Sequence, residues 1–211
     1  MFKSPFLFIF ENMIDNANLI KKLLNFESEG DFYMLYVLKR KKDQTTDKAN
    51  HQSVRTIKTY CVESIDYLEK RYEEIMQLCE MFKARAYIHV QKQNHKDVSL
   101  EMMAALAEKI RNGQHKQQNL FDSVVGQLKT LEKRWIVDID TTDYHAVTEL
   151  SQFITSLRPE GVKVEYVIPT KNGYHLITKR FDVMEFKKKY PDIDIQKKNP
   201  TLLYLPNSLD I

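Results

Sequence analysis

The sequence predicts a mixed fold of the α/β (α+β) class, in which an N-terminal α/β lobe precedes a mainly antiparallel sheet of the ferredoxin-like or RNA-recognition-motif-like type. Segments rich in β-branched and aromatic residues alternate with amphipathic helical segments along the chain. In the last third, these segments follow the order β-α-β-β-α-β. The 211 residues, 43% of them hydrophobic, are sufficient for a packed core in one domain or in one domain with two lobes.

The first module is predicted to span residues 1–130. We predict strands at residues 5–10, 31–42, 54–62 and 84–92, and helices at residues 16–26, 64–82 and 97–113. Ser64 is the expected N-cap of the second helix, Asp97 or Ser99 begins the third helix, and Gly113 is its C-cap. Residues 39–53 predict an exposed basic loop, either a solvated hairpin tip or a contact to phosphate.

The second module is predicted to span residues 131–211. Its strands are expected at residues 134–140, 162–170 and 174–181 and near residues 201–206, and its helices at residues 143–157 and 182–190. With only 5 glycines and 6 prolines, the chain has no composition typical of a long flexible linker.

Composition excludes several classes of function. The net charge of +3 gives no bulk argument for binding nucleic acid or an anionic membrane. No segment approaches the roughly 20 apolar residues of a membrane span, and the apolar opening is too short for a signal sequence. Cys61 and Cys79 lack the spacing of a disulfide scaffold or a zinc site and are interpreted as core residues. We therefore expect a soluble, cytoplasmic protein without a membrane partner.

Two aspartates stand one residue apart at the end of the strand predicted at residues 134–140. Asp138 and Asp140 face the same side of that strand, so their carboxylates repel unless a positive charge lies between them. One interpretation is structural: Asp140 caps the next helix and Asp138 pairs with a lysine. The other is a site for Mg²⁺ or Mn²⁺, which bind hard carboxylate oxygens and retain water or phosphate as further ligands.

Two enzyme classes carry an Asp-x-Asp motif at the end of a strand. The segment IVDIDTTD is locally similar to the opening motif of haloacid dehalogenase-type phosphatases, but that fold needs a parallel sheet and only 71 residues follow Asp140. The second class is the two-metal nucleotidyltransferases, in which paired acids hold the ions that contact the incoming triphosphate.

A second motif lies in the segment PTKNGYHLIT, residues 169–178, where a tight turn precedes a strand carrying His175. A lone histidine on a strand is usually an ordinary packed or surface residue. The ordered combination of Asp138-x-Asp140, Gly173-x-His175 and Asp194 resembles the archaeo-eukaryotic primase superfamily, which includes primase-polymerases of phages, plasmids and other mobile elements. The resemblance covers residues 134–209, and Asp194 fits the third motif better than Asp192.

The resemblance implies a palm-like catalytic sheet that makes or extends a primer in DNA replication by nucleotidyl transfer. The metal ligands, for Mg²⁺ or Mn²⁺, would be Asp138, Asp140 and Asp194. His175 would contact the phosphates of the incoming nucleotide. The implied partners are a DNA template-primer and nucleoside triphosphates, with a replicative helicase or a second primase subunit as a further partner.

Basic residues near the motifs are candidates for contacts to phosphate or to the template backbone. Lys171, Lys179 and Arg180 flank the strand of His175. Arg85 shares a strand face with Tyr87 in the first module, where it lines a cleft or packs as an ordinary edge-strand residue.

One departure from the family pattern and one rival hypothesis accompany the resemblance. Tyr204 stands where many relatives have an arginine, which puts one anionic contact in doubt. The rival is a non-catalytic or degenerate nucleic-acid-binding domain on the same sheet, for which we expect a steep salt dependence of binding and no metal requirement.

Overall fold

A computed structural model describes residues 13–43, 54–128 and 133–207 of the chain. Within these ranges the protein has six α-helices and ten strands, and every strand pair is antiparallel. The α+β class predicted from the sequence is therefore confirmed. The strand predicted at residues 5–10 and most of the predicted basic loop lie outside the described residues.

The elements alternate along the chain much as the periodicity of the sequence predicts. The strands are β1 (Ile14–Asp15), β2 (Asp31–Lys39), β3 (Arg55–Val62), β4 (Arg85–His89), β5 (Gln93–Asn94), β6 (Trp135–Ile139), β7 (Val164–Pro169), β8 (Tyr174–Thr178), β9 (Asp194–Gln196) and β10 (Pro200–Leu205). The helices are α1 (Ala17–Leu23), α2 (Ile65–Phe82), α3 (His95–Arg111), α4 (Leu120–Gln127), α5 (Tyr144–Ser156) and α6 (Val183–Lys189). None of these helices combines the length and the apolar character that crossing a membrane requires.

The strands form two sheets. A six-stranded sheet has the order β1-β10-β4-β2-β3, with β5 paired to the start of β2. A four-stranded sheet has the order β7-β8-β6-β9, and its strands and helices follow the predicted sequence β-α-β-β-α-β. A strand is present where the last one is predicted, at residues 200–205, but its expected place in this sheet is wrong. It pairs with β4 of the other sheet, and the short strand β9 completes the four-stranded sheet.

Helix caps decide where several helices begin. Ser64 caps α2 as predicted, since its hydroxyl accepts a hydrogen bond from the backbone N–H of Tyr67 at 3.0 Å. Helix α3 begins two residues earlier than predicted, because the side chain of Asn94 accepts from the backbone N–H of Lys96. Gly113 follows the C-terminus of α3 with a φ of 71°, a conformation that glycine adopts at little cost.

One apolar core joins the two sheets. Ile136, Ile168 and Ile177 of the four-stranded sheet are buried in the same cluster as Leu35 and Ile88 of the six-stranded sheet. The opposite face of the four-stranded sheet packs on α5 and α6 in a second cluster. The four-stranded sheet is thus covered on both faces, by helices on one and by the six-stranded sheet on the other. Cys79 is buried and Cys61 is half-buried, and both thiols are free.

Candidate active site

Three predicted site residues lie in one row across the four-stranded sheet. Asp138 on β6 is directly opposite His175 on β8 and, on its other side, directly opposite Asp194 on β9. Opposed residues of antiparallel strands project from the same face. All three side chains therefore leave the sheet on the face that carries Ile136 and Ile177, which is turned towards the six-stranded sheet.

The carboxylate of Asp138 is held by its neighbours in this row. Its Oδ1 lies 3.4 Å from Nε2 of His175, and its Oδ2 accepts a hydrogen bond of 3.1 Å from the side chain of Gln196. The interaction with His175 is the largest cause of a lowered pKa of Asp138. Partial burial opposes this shift of the pKa, while the charge of Arg40 and the hydrogen bond from Gln196 add to it. Asp138 is therefore ionised at neutral pH.

The other nitrogen of His175 contacts the six-stranded sheet. Nδ1 lies 2.9 Å from the hydroxyl Oγ1 of Thr201 on β10. His175 is 8% exposed and Thr201 is fully buried. The imidazole is thus held from both sides, by a carboxylate of its own sheet and by a hydroxyl of the other sheet.

Asp140 follows the end of β6 and is exposed at the same cleft as Asp138. The backbone beside it approaches Gly173 very closely, since a Cβ added to Gly173 would lie 1.9 Å from the carbonyl oxygen of Ile139 and 2.8 Å from the backbone nitrogen of Thr141. Only a residue without a side chain fits there. The small residue two positions before His175 is therefore explained by the close approach of β8 to the strand end that carries Asp140.

A polar cleft of about 210 Å³ lies between the two sheets at this point. Asp138, Asp140 and His175 line it from the four-stranded sheet, and Arg40 and Arg85 line it from the six-stranded sheet together with Tyr87. Cations and carboxylates thus face each other across a space large enough for part of a small anionic ligand.

Arg85 lines this cleft but is not available as a mobile cation. It is 3% exposed, and its guanidinium donates to Asp43 Oδ1 at 2.7 Å. Asp43 ends a short 3-10 turn (Lys41–Asp43) that directly follows Arg40. The buried ion pair therefore anchors the segment next to Arg40, whose guanidinium donates to the hydroxyl of Tyr87 at 3.5 Å.

The remaining predicted cations are distributed unevenly. Lys171 lines the cleft on the turn between β7 and β8. Lys179 and Arg180 are exposed beyond the opposite end of β8 from His175, and Lys179 lies 3.8 Å from Glu165. The structure thus brings Lys171 to the site and places Lys179 and Arg180 away from it. Tyr204 is buried in the core, where its hydroxyl donates to Glu80 at 3.1 Å.

Three outcomes bear on the interpretations of the paired aspartates. The N-cap of α5 is Asp143, which accepts from the backbone N–H of His145 at 2.9 Å, so Asp140 is not the helix cap. Within the described part of the chain, the side chain of Asp138 contacts His175 and Gln196 rather than the lysine of the structural interpretation. The phosphatase alternative required a parallel sheet and is contradicted by the antiparallel one.

Sequence reasoning missed three residues of the site. Arg40 falls both in the strand predicted at residues 31–42 and in the basic loop predicted at residues 39–53, and its place directly after the observed strand β2 is the signal that keeps it with the sheet. Gln196 lies two residues after Asp194, the spacing that places it diagonally across from Asp138. Thr201 gave no local signal beyond being a polar residue at the start of an apolar strand.

Two of the three carboxylates that the resemblance implies as ligands of a divalent cation lie at the cleft. Asp138 and Asp140 line one cleft, and the lowered pKa of Asp138 keeps its carboxylate charged. Within residues 13–43, 54–128 and 133–207, no group of three or more His, Cys, Asp or Glu side chains is arranged to hold a metal ion. Two carboxylates at one cleft are ligands of the kind that Mg²⁺ binds together with water and substrate phosphate. Asp194 is exposed in the same row and does not line the cleft.

Comparison with known proteins identifies no relative: no family model, no curated protein and no solved structure matches the chain significantly.

Proposed function

We propose that the protein is a nucleotidyltransferase of the archaeo-eukaryotic primase type, which makes or extends a primer on a DNA template from nucleoside triphosphates. The observation that supports this proposal best is the single row of His175, Asp138 and Asp194 across adjacent antiparallel strands. Three motifs separated by up to 56 positions in the chain, from Asp138 to Asp194, are neighbours in this row. Asp140 and Arg40 face the same cleft.

The proposed reaction is the transfer of a nucleotidyl group to a primer. The 3′-hydroxyl oxygen of the primer bonds to the α-phosphorus of the triphosphate, the bond from that phosphorus to the bridging oxygen breaks, and pyrophosphate leaves. The hydroxyl proton passes to solvent or to a nearby base. Such a reaction depends mainly on positioning and on charge stabilisation, with little covalent chemistry by the protein.

The residues of the cleft have distinct roles in this proposal. Asp138 and Asp140 would hold Mg²⁺ or Mn²⁺, which when bound neutralises phosphate charge and lowers the pKa of the attacking hydroxyl. His175 would share the proton of Nε2, the ring nitrogen that faces Asp138, with a phosphate oxygen bound in the cleft. Arg40, across the cleft from the carboxylates, and Lys171, on the turn beside Asp140, supply positive charge that draws in and orients a triphosphate.

A primer-extension assay with Mg²⁺ or Mn²⁺ tests the proposal. Asp138→Asn and Asp140→Asn keep the size of the side chain and remove its charge, and each is expected to lower the rate of incorporation by at least 100-fold, on the order of the loss seen when a charge-stabilising group is removed. Asp192→Asn is the matched control, because Asp192 lies before β9 and outside the row. It is expected to leave the rate within about twofold.

The same assay distinguishes the proposed enzyme from a non-catalytic binding domain. If the wild type incorporates no nucleotide with either metal but binds DNA with a steep salt dependence, the catalytic proposal is wrong and the non-catalytic hypothesis holds. If Asp138→Asn and Asp140→Asn retain the full incorporation rate, these carboxylates are not the metal ligands.

A further inference from the structure

We propose that Thr201 is a positioning residue for His175, through which the six-stranded sheet sets the orientation of the imidazole in the cleft. The role of His175 in this inference rests on the proposed function, whereas the contact between the two side chains does not. Thr201 lies on β10, which pairs with β4, and His175 lies on β8 of the other sheet. The 2.9 Å contact between Oγ1 and Nδ1 therefore crosses from one sheet to the other.

Burial determines what Thr201 can do. Its side chain is fully buried, so the hydroxyl cannot reach a substrate or act as a nucleophile. A hydroxyl group is both a donor and an acceptor, and it can satisfy the one nitrogen of His175 that points away from the cleft. An unpaired imidazole nitrogen at this buried position would be costly. Thr201 thus acts on the site only through His175.

The charge of Asp138 determines the direction of these hydrogen bonds. A carboxylate can only accept a hydrogen bond, and Oδ1 of Asp138 lies 3.4 Å from Nε2 of His175, so Nε2 is the ring nitrogen that carries a proton towards it. In the neutral imidazole, Nδ1 is then an acceptor, and the hydroxyl of Thr201 donates to it. The contacts of His175 with Thr201 on one side and with Asp138 on the other thereby fix both the ring plane and the tautomer of His175.

Three variants isolate the hydroxyl. Thr201→Val replaces the hydroxyl by a methyl group at nearly constant volume, and Thr201→Ser retains the hydroxyl. Thr178→Val is a control for the loss of a buried hydroxyl as such, because Thr178 is fully buried on the same strand as His175 and its Oγ1 has no hydrogen-bond partner among the described residues.

Nitrogen-15 NMR of the histidine rings at about pH 8, where an ordinary imidazole is neutral, tests the contact without substrate. The signals of His175 are assigned by their absence in His175→Gln. We expect one Nε2–H tautomer in the wild type, in Thr201→Ser and in Thr178→Val. In Thr201→Val we expect broadened signals or a mixture of tautomers, because nothing then orients Nδ1. A wild-type spectrum of His175 in folded Thr201→Val would overturn the proposal.

Primer-extension kinetics test the consequence for function. The value of kcat/KM for the nucleotide is expected to fall about tenfold in Thr201→Val, the effect of losing one hydrogen bond at a buried group, and to stay within about twofold in Thr201→Ser and Thr178→Val. Equal losses in Thr201→Val and Thr178→Val would show a general packing effect and overturn the positioning role. If the wild type is inactive, the proposed function fails, and the NMR result alone decides the role of Thr201.

Discussion

Gly173 is a position of the site at which no side chain fits. Its Cα lies against the backbone of Ile139 and Thr141, so that a Cβ would meet the carbonyl oxygen of Ile139 at 1.9 Å. Backbone atoms cannot move aside as a flexible side chain can. The approach brings the turn that carries Lys171 close to the strand end that carries Asp140, and both residues line the cleft.

We expect Gly173→Ala to lower the free energy of unfolding by about 3 kcal/mol, the upper range for overpacking at a buried position. We also expect loss of incorporation activity, because β6 and β8 must separate beside Asp140. Gly126→Ala is the control, since a Cβ at Gly126 near the end of α4 meets nothing within 4 Å. Chemical denaturation measures the free energy of unfolding of the two variants. Equal values for Gly173→Ala and Gly126→Ala would contradict the steric explanation for Gly173.

Among the elements, the start of β2 is held by a buried carboxylate. Asp31 is 6% exposed and accepts hydrogen bonds from the backbone N–H groups of Glu27 and Ser28 and from the side chain of Asn94, the residue that caps α3. The Nζ atom of Lys92 lies 3.2 Å from Oδ2 of Asp31. Burial of Asp31 favours the neutral acid, but these hydrogen bonds outweigh it and lower the pKa of Asp31 to about 2.

This lowered pKa predicts an acid-dependent contribution to stability. A carboxylate whose pKa is lower in the folded than in the unfolded chain stabilises the fold above the unfolded pKa near 4, and this stabilisation is lost as the pH falls through about 2. From the shift we expect the ionised Asp31 to contribute about 2 kcal/mol at pH 6. Asp31→Asn should therefore be less stable than the wild type at pH 6, with the difference shrinking towards pH 2.

Urea denaturation at several pH values between 2 and 6 measures this difference. Glu29→Gln is the matched control, because Glu29 is exposed in the same turn and its removal leaves the carboxylate of Asp31 in place. A difference between Asp31→Asn and the wild type that is the same at pH 6 and near pH 2 would show that the charge of Asp31 does not stabilise the turn.

At the scale of the whole molecule, the two sheets share one core and several polar links. Besides the shared apolar cluster, the side chain of Asn16 donates to the carbonyl oxygens of Pro169 and Leu202, at 2.9 Å each. These carbonyl groups belong to β7 of one sheet and β10 of the other. The cleft lies between the sheets, so its geometry depends on their staying together.

We expect the two sheets to unfold in a single cooperative transition. Trp135 is the one tryptophan of the chain and lies on β6, so its fluorescence reports on the four-stranded sheet, whereas far-UV circular dichroism reports on both sheets. The two denaturation curves should coincide. Ile177→Ala should shift both by about 3 kcal/mol, as expected for a large-to-small change in a core.

Val162→Ala is the control for this shift, because Val162 is 75% exposed, and it should change the stability by less than about 0.5 kcal/mol. A fluorescence transition that is separated from the circular dichroism transition would show two independently folding units. The predicted division into two modules between residues 130 and 131 would then also be a division between two folding units. That boundary lies between α4 and β6, outside the described residues, and β10 returns across it to the six-stranded sheet.

The sequence by itself determined the local structure of the protein. Strand and helix periods, and caps such as Ser64, depend on neighbours within a few residues. Most elements predicted in the first module and all those predicted in the second are therefore present, whereas the short strand β9 was not predicted. The prediction that Asp138 and Asp140 face the same side follows from the period of a strand, and both residues line one cleft. The pairing of the Asp138 strand with the His175 strand follows from the predicted order of elements. Local pattern was sufficient for these features because local contacts decide them.

Only the tertiary structure decided which distant residues meet. The return of β10 to the six-stranded sheet, the contact of Thr201 with His175 and the position of Arg40 at the cleft all join parts of the chain that are far apart in sequence. Arg85 likewise resembles any strand cation until its buried pairing with Asp43 is seen. Such contacts depend on how two amphipathic sheets bury their apolar faces against each other, and the periodicity of a single strand carries no information about its partner across the core.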